Sequence, residues 1–175
     1  HAELAPACPA LQRLSPAEVL ARVPVLRPDQ VIGALFDPDS MDMDVHALHQ
    51  GFLRGARRAG AMLLTDAAVT AGRHDGQCWT LTLGDGRVLR APRVVNAAGA
   101  WADPLARACG VAPQGLQPCR RSAFVFAAPP GVDTSDWPLV AGVDETEGWY
   151  FKPDAGRLLG SPANADPVPP HDVQP

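Results

Sequence analysis

Apolar and polar positions repeat with two different periods along this chain, and the changes of period mark its elements. Val45, Leu48, Phe52 and Ala56 recur at helical spacing, with His46, Gln50, Arg54 and Arg57 turned elsewhere, which predicts an amphipathic helix from Val45 to about Ala59. Asp44 is placed to cap its start and Gly60 to stop it. Upstream, Leu14-Ser15-Pro16-Ala17-Glu18-Val19 carries a helix-start signature. Ser15 caps, Pro16 suits the first helical position and Glu18 completes a capping box. Pro24 keeps that helix short. Val31 to Phe36 reads as an extended apolar piece ended by the turn Asp37-Pro38-Asp39-Ser40.

Beyond Gly60 the period drops towards two. Ala61 to Thr65 reads as a buried strand and Ala67 to Ala71 as a second short one. Trp79, Leu81 and Leu83 then alternate with Thr80 and Thr82, the pattern of a half-exposed strand. Asp75-Gly76 and Asp85-Gly86 are hairpin turns, Val88 to Ala91 pairs back, and Arg93 to Asn96 reads as another buried strand. A helical pattern resumes at Leu105. The plan over residues 44–109 is helix, strand, three-stranded meander, strand, helix. After Gly110 the chain is strand-rich: Ser122 to Ala127 is strongly β-forming. Trp149 to Lys152 and Arg157 to Leu159 form a hairpin around Pro153-Asp154-Ala155-Gly156.

Composition narrows the classes. A length of 175 residues makes one ordinary domain or a piece of something larger. A net charge of −4 gives no reason to expect a nucleic-acid partner. No apolar run approaches the roughly 20 residues of a membrane span, and no signal-peptide layout opens the chain. Cys8, Cys78, Cys109 and Cys119 are scattered, so they read as buried free thiols of a reducing compartment. His46 and His49 have metal-compatible spacing but no third ligand nearby. Lys152 is the only lysine in a chain rich in Arg, Ala and Pro, a usage typical of high-GC bacteria. His1 in place of an initiator Met and the proline-rich stretch from Pro162 to Pro175 read as a segment of a longer polypeptide.

The chemistry concentrates in Val94-Val95-Asn96-Ala97-Ala98-Gly99-Ala100-Trp101-Ala102-Asp103. A β-branched run breaking into tiny residues before a helix lets backbone approach a phosphate or a flat cofactor, although a tight packing turn has the same look. The order of its neighbours is more specific than the stretch alone. Asp42-Met43-Asp44 opens a helix, Gly60-Ala61-Met62-Leu63-Leu64 leads to Val69, and Trp79-Thr80-Leu81-Thr82 precedes the Asn-Ala-Ala-Gly-Ala-Trp motif. Pro118-Cys119-Arg120-Arg121 follows, then Trp149-Tyr150-Phe151-Lys152-Pro153 with Gly156-Arg157-Leu158-Leu159-Gly160. In this order the motifs resemble the FAD-dependent oxidoreductases of the D-amino-acid oxidase type, which include glycine oxidase, sarcosine oxidase and D-amino-acid dehydrogenase. The resemblance covers roughly residues 30–162.

The resemblance implies a mixed α/β fold. Residues 1–40 would be a helical segment of a substrate domain. Residues 41–112 would be part of a Rossmann-like FAD-binding domain with a β-meander, and residues 113–175 part of an antiparallel substrate-domain sheet. It implies that Val69 meets the adenine of FAD through its backbone, and that Ala97, Ala98 and Gly99 lie against the cofactor with Trp101 close by. Tyr150 matches an aromatic facing the substrate, and Arg120 or Arg121 could clamp a substrate carboxylate. The family's N-terminal G-x-G-x-x-G loop is not among these residues, since Gly84-Asp85-Gly86 is a hairpin turn, nor is its C-terminal segment.

The expectation is therefore a segment of a flavoenzyme that oxidises an amino acid or secondary amine by hydride transfer to FAD. Alone it should neither hold FAD tightly nor turn over. Its partners would be the small substrate and the remaining N- and C-terminal parts of the same polypeptide. The location would be cytoplasmic, or peripheral to the inner membrane for a dehydrogenase. A 2-hydroxy-acid or glycerol-3-phosphate dehydrogenase is the alternative enzyme, and a non-catalytic binding module the alternative class.

Overall fold

In the computed structural model, Pro6, residues 8–143 and residues 148–172 are described. Strand β1 (Gln12–Leu14), helix α1 (Pro16–Arg22), strand β2 (Ala34–Phe36) and helix α2 (Val45–Arg58) come first. Strands β3 (Val69–His74), β4 (Trp79–Leu83) and β5 (Val88–Ala91) precede helix α3 (Ala102–Ala108). Strands β6 (Cys119–Arg120), β7 (Phe124–Phe126), β8 (Val140–Val143), β9 (Gly148–Asp154), β10 (Arg157–Ser161) and β11 (Asp166–Pro167) complete the chain. This is the mixed α/β architecture expected, with antiparallel pairing wherever register is defined. Among the described residues no helix is long and apolar enough to cross a membrane.

The chain divides into two compact units, each drawn from three stretches. The first takes His1–Ala61, Ala127–Leu139 and Lys152–Leu158. Its α1 begins as the sequence dictates: Ser15 Oγ accepts from Glu18 N at 3.4 Å, and Glu18 Oε2 accepts from Ser15 N at 2.8 Å. β1 and β2 pair with Gln12 opposite Phe36, and the Arg22 guanidinium sits 4.6 Å over the Phe36 ring. Val19, Val23, Trp137 and Leu158 are its buried apolar residues. Asp44 Oδ1 accepts from Ala47 N at 2.8 Å to start α2, yet none of that helix is buried. The face made by Val45, Leu48 and Phe52 is intact in period and exposed, Phe52 at 73%. Lys152 Nζ pairs with Asp42 Oδ1 at 2.7 Å.

The second unit takes Met62–Phe126, Val140–Phe151 and Leu159–Pro175. β3, β4 and β5 form the expected meander in that order. Its two turns are held locally. Asp75 Oδ1 accepts from Gln77 N and Cys78 N at 2.9 and 2.8 Å, and Asp85 Oδ1 from Arg87 N at 2.9 Å. α3 packs on β3 closely enough that a Cβ on Gly72 would lie 2.5 Å from Cys109 Sγ. Leu83 and Ala106 are the buried apolar residues of this unit. β6 pairs with β11, and a four-stranded sheet runs β7-β10-β9-β8.

Three expectations need correction. Residues 61–65 form no strand: Met62 is 85% exposed. Residues 93–96 form none either, and Val95 is 87% exposed. Each run has consecutive apolar residues (Met62 to Leu64, and Val94 with Val95), as strands covered on both faces do, and no described strand pairs with them. The thiols are not buried, since Cys8, Cys78 and Cys109 are intermediate and Cys119 exposed. The total surface, 13152 Å² for 18.4 kDa, compares with roughly 8,000 Å² for a globular monomer of that mass. Large apolar faces are uncovered.

Candidate cofactor-facing site

Val69, Ala97, Ala98, Gly99, Trp101, Arg120, Arg121 and Tyr150 all fall within the second unit. Residues 97–101 leave the meander without joining a sheet and enter a 3₁₀ turn over Gly99–Trp101, which runs directly into α3. Trp101 N donates to Ala98 O at 2.9 Å. Gly99 has φ +53, a region that suits glycine, and nothing lies within 4 Å of where its Cβ would stand. Ala97 and Gly99 are exposed, and Trp101 is 42% exposed beside them. The result is a stretch of backbone open to its surroundings, with no side chain larger than a methyl over three positions. A flat ligand fits such a surface, so these residues meet the requirement that FAD sets.

Val69 opens β3 opposite Leu83, and the register shifts between Val69 and Ala71. That bulge interrupts the ladder at Thr70 and leaves backbone at the strand start not fully committed to β4. The packing of α3 on β3 links this strand to the segment of Ala97.

Tyr150 is half-buried in β9 with Ala141 opposite it on β8. Alternation along the strand puts it on one face and Trp149 and Phe151 on the other. Those two rings stack 5.8 Å apart and 5° from parallel. The three consecutive aromatics are therefore not one wall. Arg120 and Arg121 are exposed and already engaged: Arg120 Nη2 lies 3.7 Å from Asp166 Oδ2, and Arg121 Nε donates to Asn164 O at 3.3 Å. His46 and His49 stand exposed on α2, and no three His, Cys, Asp or Glu side chains among the described residues could hold a metal.

Two residues matter here that the sequence pattern did not single out. The Asn96 carboxamide accepts from Ala98 N at 3.2 Å and donates to Ala102 O at 2.8 Å. An Asn directly before a run of small residues is the available signal. Asp103, 5% exposed, accepts from the backbone of Gln114, Gly115 and Leu116 at 2.8, 2.9 and 3.0 Å. These bonds, Gln114's foremost, hold its carboxyl below the usual range although burial opposes them, and Arg107 adds a smaller lowering. A cavity of about 300 Å³ adjoins, with Asp103 and Arg107 on its wall.

The chain is similar to several known proteins. The dimethylglycine dehydrogenase of Rattus norvegicus mitochondria is 29% identical over 151 residues, 85% of this chain and 17% of that protein. The N-methyl-L-tryptophan oxidase of Citrobacter koseri is 35% identical over 96 residues, 54% of this chain and 25% of that protein. The crystal structure of L-proline dehydrogenase from P. horikoshii shares the fold with a TM-score of 0.71 at 21% identity, over 94% of this chain and 44% of that one. The chain thus spans a quarter or less of the length of these two curated relatives. The family model for FAD dependent oxidoreductase matches residues 2–175, as the ordered motifs lead one to expect, and the chain belongs to that family.

Proposed function

We propose that this chain is part of a flavoenzyme that oxidises an amino acid or an N-substituted amino acid. The single observation that carries the reading is the open backbone at Ala97, Ala98 and Gly99 within a chain of this family. The relatives named for dimethylglycine and N-methyl-L-tryptophan support an N-alkylated amino acid over a hydroxy acid. FAD, when bound, supplies the two-electron acceptor. The chain's own residues bind, orient and exclude water. Ala97, Ala98 and Gly99 give a wall with no bulk, Trp101 borders it, and the backbone at Val69 meets the adenine end.

Tyr150 presents a flat ring and one hydroxyl towards the substrate, which suits a hydride donor that needs orientation more than acid–base help. Arg120 and Arg121 are the guanidinium groups available to a substrate carboxylate. A carboxylate at Arg120 competes with Asp166, a pair that exposure on both sides makes weak. The uncovered faces of α2 and of residues 61–64 and 94–95 are read as covered by further polypeptide of the same protein. Domain roles follow the resemblance, with residues 41–112 on the cofactor side and 113–175 on the substrate side. The location proposed is cytoplasmic, or peripheral to the inner membrane.

The test is anaerobic flavin bleaching in the full-length, FAD-loaded protein. Dimethylglycine, N-methyl-L-tryptophan or proline should bleach the band near 450 nm (a general property of oxidised flavin), whereas lactate and glycerol 3-phosphate should not. Bleaching by a hydroxy acid alone overturns the amine reading. A separate variant, Ala97→Leu, should weaken FAD binding by steric exclusion, and unchanged binding overturns the wall.

A further inference from the structure

We propose that Asn96 is a positioning residue for this wall, its carboxamide holding Ala97, Ala98 and Gly99 in the backbone path that leaves their small faces open. The inference rests on the reading of that wall as cofactor-facing. Its own basis is the hydrogen bonding of one side chain. Oδ1 accepts from Ala98 N at 3.2 Å, closing a two-residue turn, and Nδ2 donates to Ala102 O at 2.8 Å. The side chain thus brackets the wall, fastening its start to the first residue of α3.

The segment has little else to hold it. Neither Ala98 nor Trp101, which precede the 3₁₀ turn and α3, provides a side-chain cap. Within the turn, Trp101 N to Ala98 O at 2.9 Å is a backbone bond. Residues 93–98 have no strand ladder, and the side chains of the wall are too small to pack. Gly99, at φ +53, is the residue with the most freedom to lose on ordering.

An asparagine is suited to this task in a way its neighbours in size are not. Serine can accept from Ala98 N but is too short to reach Ala102 O and Ala98 N together. Aspartate can accept but has no donor for a carbonyl, and it brings a negative charge to a wall meant for a phosphorylated cofactor. Alanine does neither. The bracket therefore calls for a short side chain carrying both an acceptor and a donor.

FAD affinity of the full-length apoprotein, read by quenching of flavin fluorescence, tests this alongside thermal unfolding of the same apoprotein without FAD. Asn96→Ala should weaken FAD binding about five- to tenfold, the range that two exposed hydrogen bonds supply, while the apoprotein melts where the parent does. Asn96→Ser, which keeps the bond to Ala98 N, should recover part of the loss. Two results overturn the inference. One is unchanged affinity in Asn96→Ala when Ala97→Leu does weaken FAD, which leaves the wall reading standing. The other is a loss equal in the Ala and Ser variants and matched by a lower apoprotein melting temperature, which makes Asn96 a general structural residue. If Ala97→Leu is also without effect, the wall reading falls first and the inference with it.

Discussion

Trp149 lies over Gly142 of the neighbouring strand, and its indole fills the space a Cβ at Gly142 would need. The pair is directly opposed across β8 and β9. Gly142→Ala should therefore displace the ring and destabilise the protein by about 1–3 kcal/mol, the usual effect of overpacking. In a Trp149→Ala background the same change should have almost none. Urea unfolding of the four variants gives the coupling directly, and additive effects would refute the steric account.

Asp103 should shape the acid limb of stability. Its folded carboxyl titrates below its unfolded value of about 3.9. The stability it contributes is complete above that value and disappears as pH falls through the lower folded pKa. Thermal melts of the parent and Asp103→Asn should differ by their full amount above the unfolded value and converge only as pH falls through the lower folded pKa. Asp75 and Asp85, lowered by backbone N–H groups of Cys78 and Arg87, act in the same direction and keep part of the limb in the variant. A gap constant with pH would assign Asp103 a steric role only.

The β9–β10 turn carries a correctable strain. Ala155 has φ 48 and Gly156 φ 78, both left-handed. The first position of such a turn favours Asn or Gly over Ala. Ala155→Gly or Ala155→Asn should raise stability by about 0.5–1 kcal/mol, seen as a higher melting temperature. Ala155→Val should lower it. A neutral result for all three would mean that the turn relaxes at no expense.

Phe52 distinguishes the chain by itself from the chain within a longer protein. At 73% exposure it supports nothing in the present fold, so Phe52→Glu should leave the stability of these residues within about 0.5 kcal/mol and reduce self-association. In the full-length protein the same change should destabilise by about 2 kcal/mol or more, because a charge then meets an apolar partner. Equal behaviour in both settings would show that α2 stays uncovered.

What could be read from sequence was whatever a few neighbouring residues decide. Ser15 with Glu18, Asp44 with Ala47, and the turn aspartates Asp75 and Asp85 act over two or three positions, and each formed as expected. Residues 61–65 and 93–96 have the composition of strands, but pairing is decided by partners distant in sequence, and none is described for them. Asp103 reaches residues 11 to 13 positions away, beyond any local pattern. At the candidate site, the small residues of the wall stood out because they form one run. The bracket of Asn96 did not, because an exposed Asn before a turn has many possible partners. Trp149, Tyr150 and Phe151 look like one cluster until alternation separates them.

The interleaving of the two units has a consequence for biosynthesis. The second unit begins at Met62, yet it cannot close before Leu159 and its successors have emerged, 33 residues after Phe126. At roughly 5–20 residues per second, translation alone imposes a delay of about two to seven seconds. During that interval β6 and β7 wait without their partner strands β11 and β10. Neither unit can be released from the ribosome as a finished early product. The yield of a chain threaded in this way should respond to translation rate more than to the strength of any one contact.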